Sequence, residues 1–180
     1  MDWQDEVRGR LAKRNRILFG KDSPYLRDLD ALFRGQSRRT MVLWALDLAE
    51  GSVLELEAGY PGERRPGEAL EAARNWAAGK IKMREAQRKI LDCHGLAREL
   101  SSPADAAVCH AVGQACSVVH TAGHAMGYPI YDLTAIVYRL GLGNCREQVE
   151  RRKEEYVDRL LWWAGCPEKD AGEWAGFLKG

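Results

Sequence analysis

The sequence has no long apolar run. Nothing in it approaches the ~20 consecutive apolar residues of a membrane-spanning helix, and no basic-then-apolar export signal opens it. No two cysteines are spaced as CxxC. The five present (Cys93, Cys109, Cys116, Cys145, Cys166) are an odd set, and in a chain without an export signal they read as reduced thiols in a cytoplasm. A charge excess is absent too: 27 Lys plus Arg face 26 Asp plus Glu, so the net charge of +1 draws the chain towards neither nucleic acid nor an acidic partner. There is no phosphate-binding glycine loop, because Gly141-Leu142-Gly143-Asn144 follows a helix and lacks the fingerprint. No segment of strand period has any length, and there is no repeat and no low-complexity segment. What is there is an apolar fraction of 46%, ordinary for a globular protein, in a chain of 180 residues that can enclose a sizeable core.

The punctuation is helical. Asp2 opens a first helix expected over Trp3 to Leu18, whose basic residues (Arg8, Arg10, Lys13, Arg14, Arg16) read as a solvated face, since the opening turn is acidic and no aromatic is interleaved. Ser23-Pro24 starts a short helix that stops at Gly35, and Ser37 caps a largely buried one from Arg38 to about Glu57. Asp47 lies one turn from Leu43, and a carboxylate turned inward there requires a partner. Gly59 to Pro66 is a loop. Pro66 opens a helix ending at Gly79, and another runs from Met83 to Leu100. The segment from Ile130 to Leu140 is apolar nearly all round. Asn144 caps an amphipathic helix to Trp163, and a tail helix over Glu168 to Lys179 is anchored by Trp174 and Phe177.

The chain is organised around Pro103 to Met126, a run of small residues begun by the cap-plus-proline pair Ser102-Pro103. A helix clothed mainly in Ala and Gly lets neighbouring backbones come close, so this segment reads as a central rod ended or kinked by Pro129. The expected architecture is all-α: a single-domain bundle, residues 1–180, of about seven to nine helices around the central Ala/Gly-rich helix. Gly123 and Gly127 are expected at a close helix crossing.

Three of the four histidines, His110, His120 and His124, lie on this stretch. On one helix His120 and His124 are neighbours a turn apart, whereas His110 is ~15 Å from His120 along the axis and cannot share an ion with that pair. A metal site would need a third ligand, such as Asp47 or Glu50 from the Arg38–Glu57 helix; Thr121 stands where HExxH has its glutamate. The reading preferred here is that the imidazoles are buried and hydrogen-bonded, with no metal and no cofactor expected. The turn at Ser101–Pro103 makes an antiparallel hairpin in which His94 and His110, and Cys93 and Cys109, reach similar heights. A thiol activated across that hairpin would need exposure, which the Ala-rich rod argues against.

Several pieces resemble a bacterial family of immunity proteins, of the Imm-5-like kind, associated with polymorphic toxin systems. They are Leu43 to Glu50, Arg65-Pro66 with Ala69 to Arg74 and Trp76 to Gly79, His94, and Ala111 to Gly127. The resemblance covers residues 38–163 and leaves the N-terminal residues 1–35 and the tail 166–180 outside; Pro129 and Asp132 depart from the family's usual Ala-rich continuation. It implies an all-α fold and an intracellular protein that binds and neutralises a cognate toxin, and the reading preferred here is a non-enzymatic binding protein. The resemblance also implies a polar core of Asp47, Glu50, His94, His120 and His124, together with Trp44, Arg74 and Trp76, and His110 is counted with the cluster. The expected partner is the toxin; no membrane or nucleic-acid partner is expected, and a homodimer stays open. The alternatives are a metal-dependent helical enzyme centred on His120 and His124 and a nucleic-acid-binding protein acting through the Arg8–Arg16 segment.

Overall fold

The computed structural model describes residues 2–179, in which eight α-helices and no strand are found. α1 is Trp3–Ala12, opened by Asp2, whose carboxylate accepts from the Gln4 N–H. α2 (Arg27–Arg34) follows a 3₁₀ turn at Pro24–Leu26, and α3 (Arg38–Gly59) is capped by Ser37, which accepts from the Thr40 N–H. α4 (Arg65–Ala77) has Pro66 in its first turn, and α5 (Met83–Leu96) leads through Ser101–Ser102 into α6 (Pro103–Ser117). α7 (Gly127–Leu140) and α8 (Arg146–Gly165) complete the set.

α6 occupies the centre. It packs against α3, α4, α5 and α7, and α8 lies across α3 and α7. Its buried surface is made of Ala104, Ala107, Val108, Cys109, Ala111, Val112, Gly113, Ala115 and Cys116, so the lightly clothed face admits neighbours from all sides.

The central rod is shorter than its sequence suggests. It ends at Ser117, and Ala122–His124 form a separate 3₁₀ turn capped by the Thr121 hydroxyl. Pro129 begins a helix instead of ending one: it lies in the first turn of α7, where its missing N–H leaves no bond unmade. Four further boundaries differ. α1 stops at Ala12, because Arg14 turns left-handed (φ 58°) and Leu18 and Phe19 enter the core from an irregular segment. That segment is held by Thr134, whose hydroxyl accepts from the Leu18 N–H, and by Tyr138, whose hydroxyl reaches the carbonyls of Asn15 and Arg16. α5 ends at Leu96. Cys145, not Asn144, precedes α8, and Asn144 donates to the Leu140 carbonyl. The tail has two 3₁₀ turns in place of a helix; Trp174 is buried, but Phe177 is half exposed.

A buried polar network joins α3, α7 and α8. Asp132 accepts from Arg152 Nε (2.7 Å) and from the Tyr156 hydroxyl (2.5 Å). The Tyr128 hydroxyl donates to the Leu48 carbonyl and accepts from Arg152 Nη2 (2.9 Å), with Ser52 Oγ 2.8 Å away. Around it Trp44, Tyr128 and Tyr156 pack edge to face, and Trp44 Nε1 donates to the Tyr156 carbonyl. Burial opposes the charge on Arg152, but the Asp132 carboxylate beside it prevails and holds the guanidinium pKa above its ordinary value. Removing one member of a buried pair strands the other. Arg152→Ala is therefore expected to destabilise by about 2–4 kcal/mol in denaturant titration, whereas the simultaneous Arg152→Met, Asp132→Leu change should cost clearly less than Arg152→Ala alone.

Candidate functional site

The α5–α6 hairpin brings His94 and His110 together, with Nδ1 of one 2.8 Å from Nδ1 of the other. In a neutral pair one ring must carry the Nδ1 proton and the other must offer its lone pair, so the two tautomers are opposite. The rings are tilted at 34° with centroids 5.1 Å apart, and the Tyr131 ring covers the far side of His110 at 5.0 Å. Cys93 Sγ lies 3.5 Å from the Cys109 carbonyl, so the neighbouring cysteine pair also meets across the hairpin.

Two glycines make this close approach. An ideal Cβ at Gly113 would lie 2.3 Å from His94 Nε2 and 2.5 Å from its Cε1. One at Gly127 would lie 2.4 Å from Gln114 Oε1 and 2.6 Å from its Cγ. Gln114 in turn sits 3.1 Å, through Oε1, from His124 Nδ1. Gly123 is not at a crossing: it is exposed, and its nearest neighbour would be Thr121 Oγ1 at 3.7 Å.

The six residues expected as one polar core cluster are divided by the fold. His94, His120 and His124 line one cavity of about 290 Å³ with Trp76, Gln87 and Gln114. His120 is exposed and stacks on Trp76 (6.2 Å, 24°). Because α6 ends at Ser117, it and His124 are no longer successive turns of one helix. His110, one turn before Gln114 on α6, lines a separate cavity nearer the hairpin turn. Asp47 accepts from Trp163 Nε1 (3.1 Å) and pairs with Arg159, while Glu50 is exposed and pairs with Arg74. Neither acid reaches a histidine, so the ligand set required by a metal enzyme at His120 and His124 is not assembled. Among the described residues no three His, Cys, Asp or Glu side chains are grouped to hold an ion. The basic N-terminal segment is partly neutralised, since Arg8 pairs with Asp5 and Arg10 with Glu6 and Asp22.

The titration of these groups follows their burial. His94 is pushed down to about 4 by desolvation, with His110 and His124 adding to the shift. His110 is lowered by desolvation and then by Arg98. Burial pushes the Cys109 and Cys116 thiols up to about 12, and Cys93 is also raised. None of the three supplies a thiolate near neutral pH, so the hairpin is not built for cysteine nucleophilic chemistry. Sequence reasoning missed Gly113 and Gln114. Their signals were a glycine inside a helix and the lone amide in an alanine run.

Together these features define a helical protein without strands, organised on an Ala/Gly-rich central helix and carrying a histidine seam. The profile of the Imm-5 like putative immunity protein family matches residues 31–159, and the chain belongs to that family. No curated protein and no solved structure matches the chain. No described helix is long and apolar enough to cross a membrane.

Gly113→Ala sets two effects against each other. Helix propensity favours Ala by about 1 kcal/mol, whereas a methyl forced into the His94 ring costs about 1–3 kcal/mol. The clash should win, lowering the melting temperature and separating the two rings, while Gly123→Ala leaves the melting temperature unchanged. A second expectation concerns pH. The folded pKa of His94 lies below its unfolded value, so the unfolded chain binds the proton more readily. The stability this group contributes is complete above about pH 6.5 and is lost as the pH falls towards 4. Discounted for partial exposure, the loss by pH 5 is on the order of 1 kcal/mol. It should be visible as a stability slope between pH 7 and 5 that His94→Gln flattens.

Proposed function

We propose that this protein is a non-enzymatic binding protein that neutralises a cognate toxin, and that the C-terminal end of α8 is a principal contact surface. The observation that carries the surface is Trp162, a residue 61% exposed although its ring meets Trp163 edge to face at 4.6 Å. Leu161 beside it is also exposed, and Leu54 and Phe177 are exposed elsewhere. An apolar groove of about 380 Å³ adjoins Trp162, lined by Val42, Leu43, Leu46, Trp163 and Trp174. Arg74, Glu168, Lys169 and Glu173 supply charge of both signs around it. An aromatic anchor beside an apolar depression with charged side chains nearby is the composition of a protein–protein hot spot. Membership of an immunity-protein family supports a toxin as the occupant. Trp162 follows the matched residues 31–159, so this anchor belongs to the part of the chain outside the family profile.

The test uses the purified product of the gene adjacent to that of this protein, taken as the candidate toxin. Trp162→Ala should weaken the complex at least about 30-fold in calorimetric titration and leave the melting temperature within about 2 °C of the parent. Inhibition should saturate at a fixed molar ratio. Wild-type affinity in the variant would remove the proposed surface, and neutralisation of excess toxin by catalytic amounts of this protein would refute the non-enzymatic reading.

A further inference from the structure

A second cavity, of about 550 Å³, opens near the turn end of the α5–α6 hairpin, beyond the His94–His110 pair from the cavity that His120 and His124 line. It is lined by Ile17, Ala97, Leu100, Pro103, Ala106 and Ala107, and by the polar side chains of Arg16, Arg98, Ser101, His110, Tyr131 and Tyr138. The volume is within the ordinary range for a small-molecule site, and the apolar wall with a few convergent polar groups has the usual composition. The charge is one-sided. The chain has 26 acidic residues, yet none lines this cavity. Of the 19 arginines in the chain, eleven have a carboxylate within ion-pairing distance, and of the other eight only Arg16 and Arg98 line this cavity. Arg16 and Arg98 come from different elements and have none among the described residues. The hairpin itself provides a third group. Nδ1 of His110 is taken by His94, which leaves Nε2 as the ring nitrogen available to the cavity.

We propose that this cleft binds a small organic anion, a carboxylate or phosphate carried on a flat ring, with Arg16 and Arg98 taking the charge and His110 donating from Nε2. The guanidinium groups suit a two-oxygen acceptor, and Tyr131, packed at a tilt of 36° against His110, offers an aromatic surface for the ring. The anion also selects a tautomer. If His110 donates through Nε2, its Nδ1 must accept, so the Nδ1 proton of the pair resides on His94. The reverse arrangement would turn a lone pair towards the anion. Binding in one cavity therefore fixes the hydrogen on a histidine that lines the neighbouring cavity.

The experiment titrates the full chain with phenyl phosphate, benzoate and inorganic phosphate, with benzyl alcohol as the neutral control, following histidine ¹⁵N shifts. The expected result is saturable binding of phenyl phosphate, at least tenfold tighter than inorganic phosphate, no saturation with benzyl alcohol, and a shift of His110 to the Nε2–H form. Arg98→Ala should weaken binding about tenfold or more, and Arg84→Ala, on an exposed part of α5 outside the cleft, should leave it unchanged. Absence of saturation by any of the anions, or equal affinity in wild type and Arg98→Ala, overturns the proposal. So does a result in which Arg98→Ala weakens only the complex with the toxin, because the arginines would then meet a protein carboxylate. Neither outcome bears on Trp162, which lies on a different surface.

Discussion

The structure depends on how little material α6 carries. Its buried face is alanine, glycine, cysteine and valine, and four helices approach it. In this setting the presence or absence of one methyl group decides what a neighbour can do. His94 occupies the volume that a Cβ of residue 113 would take, and Gln114 the volume of a Cβ at residue 127. The histidine seam is thus a consequence of small-residue packing: the backbones come close enough for two rings to meet, and the rings then occupy what space remains. Because interiors are packed at crystalline density, such arrangements do not drift.

Much of this was legible in the sequence. The caps at Asp2, Ser37 and Ser102 are found where hydroxyl or carboxylate residues precede helical patterns, and the meeting of His94 with His110 follows from symmetric spacing about the turn. The shortened rod was not legible, for a physical reason. Ala122, Gly123 and Ala125 are compatible with a helix, but nothing in Val118 to Thr121 announces that the chain leaves α6 there, and Thr121 acts as a cap only because the following turn lets its hydroxyl receive the Gly123 N–H. Pro129 reads equally as a stop or a start, and only the register of α7 decides. The polar cluster dispersed for a related reason. A period of 3.6 places side chains on a face but says nothing about which acid meets them, and Asp47 and Glu50 found tryptophan and arginine partners on α8 and α4 instead.

Function follows the same division between what is held and what is left open. His94, His110 and His124 contact one another, Tyr131 or Gln114, and burial raises the pKa of the Cys109 and Cys116 thiols. Groups satisfied in this way are poor starting points for acid–base or nucleophilic chemistry, which needs a base poised near neutral pH and within reach of solvent or substrate. The unpaired features lie at the periphery: an exposed tryptophan beside an apolar groove, and two arginines at a cleft without an acid. The two proposed binding roles rest on these features.

The Asp132–Arg152 network bears on recognition through rigidity. It fixes α7 and α8 to α3 at Tyr128, and further along α8 Asp47 holds Arg159 and the Trp163 indole. Trp162 lies between these last two anchors along α8, so its backbone is held by contacts that other side chains make. A side chain displayed from an immobilised helix loses less freedom on binding than one on a loop, and that saving appears as affinity. The buried ion pair, neutral or costly for stability when compared with an apolar core, can be retained because it fixes the orientation of the helix that carries the anchor. This account explains why charge lies inside the α7–α8 contact while the aromatic ring remains outside it.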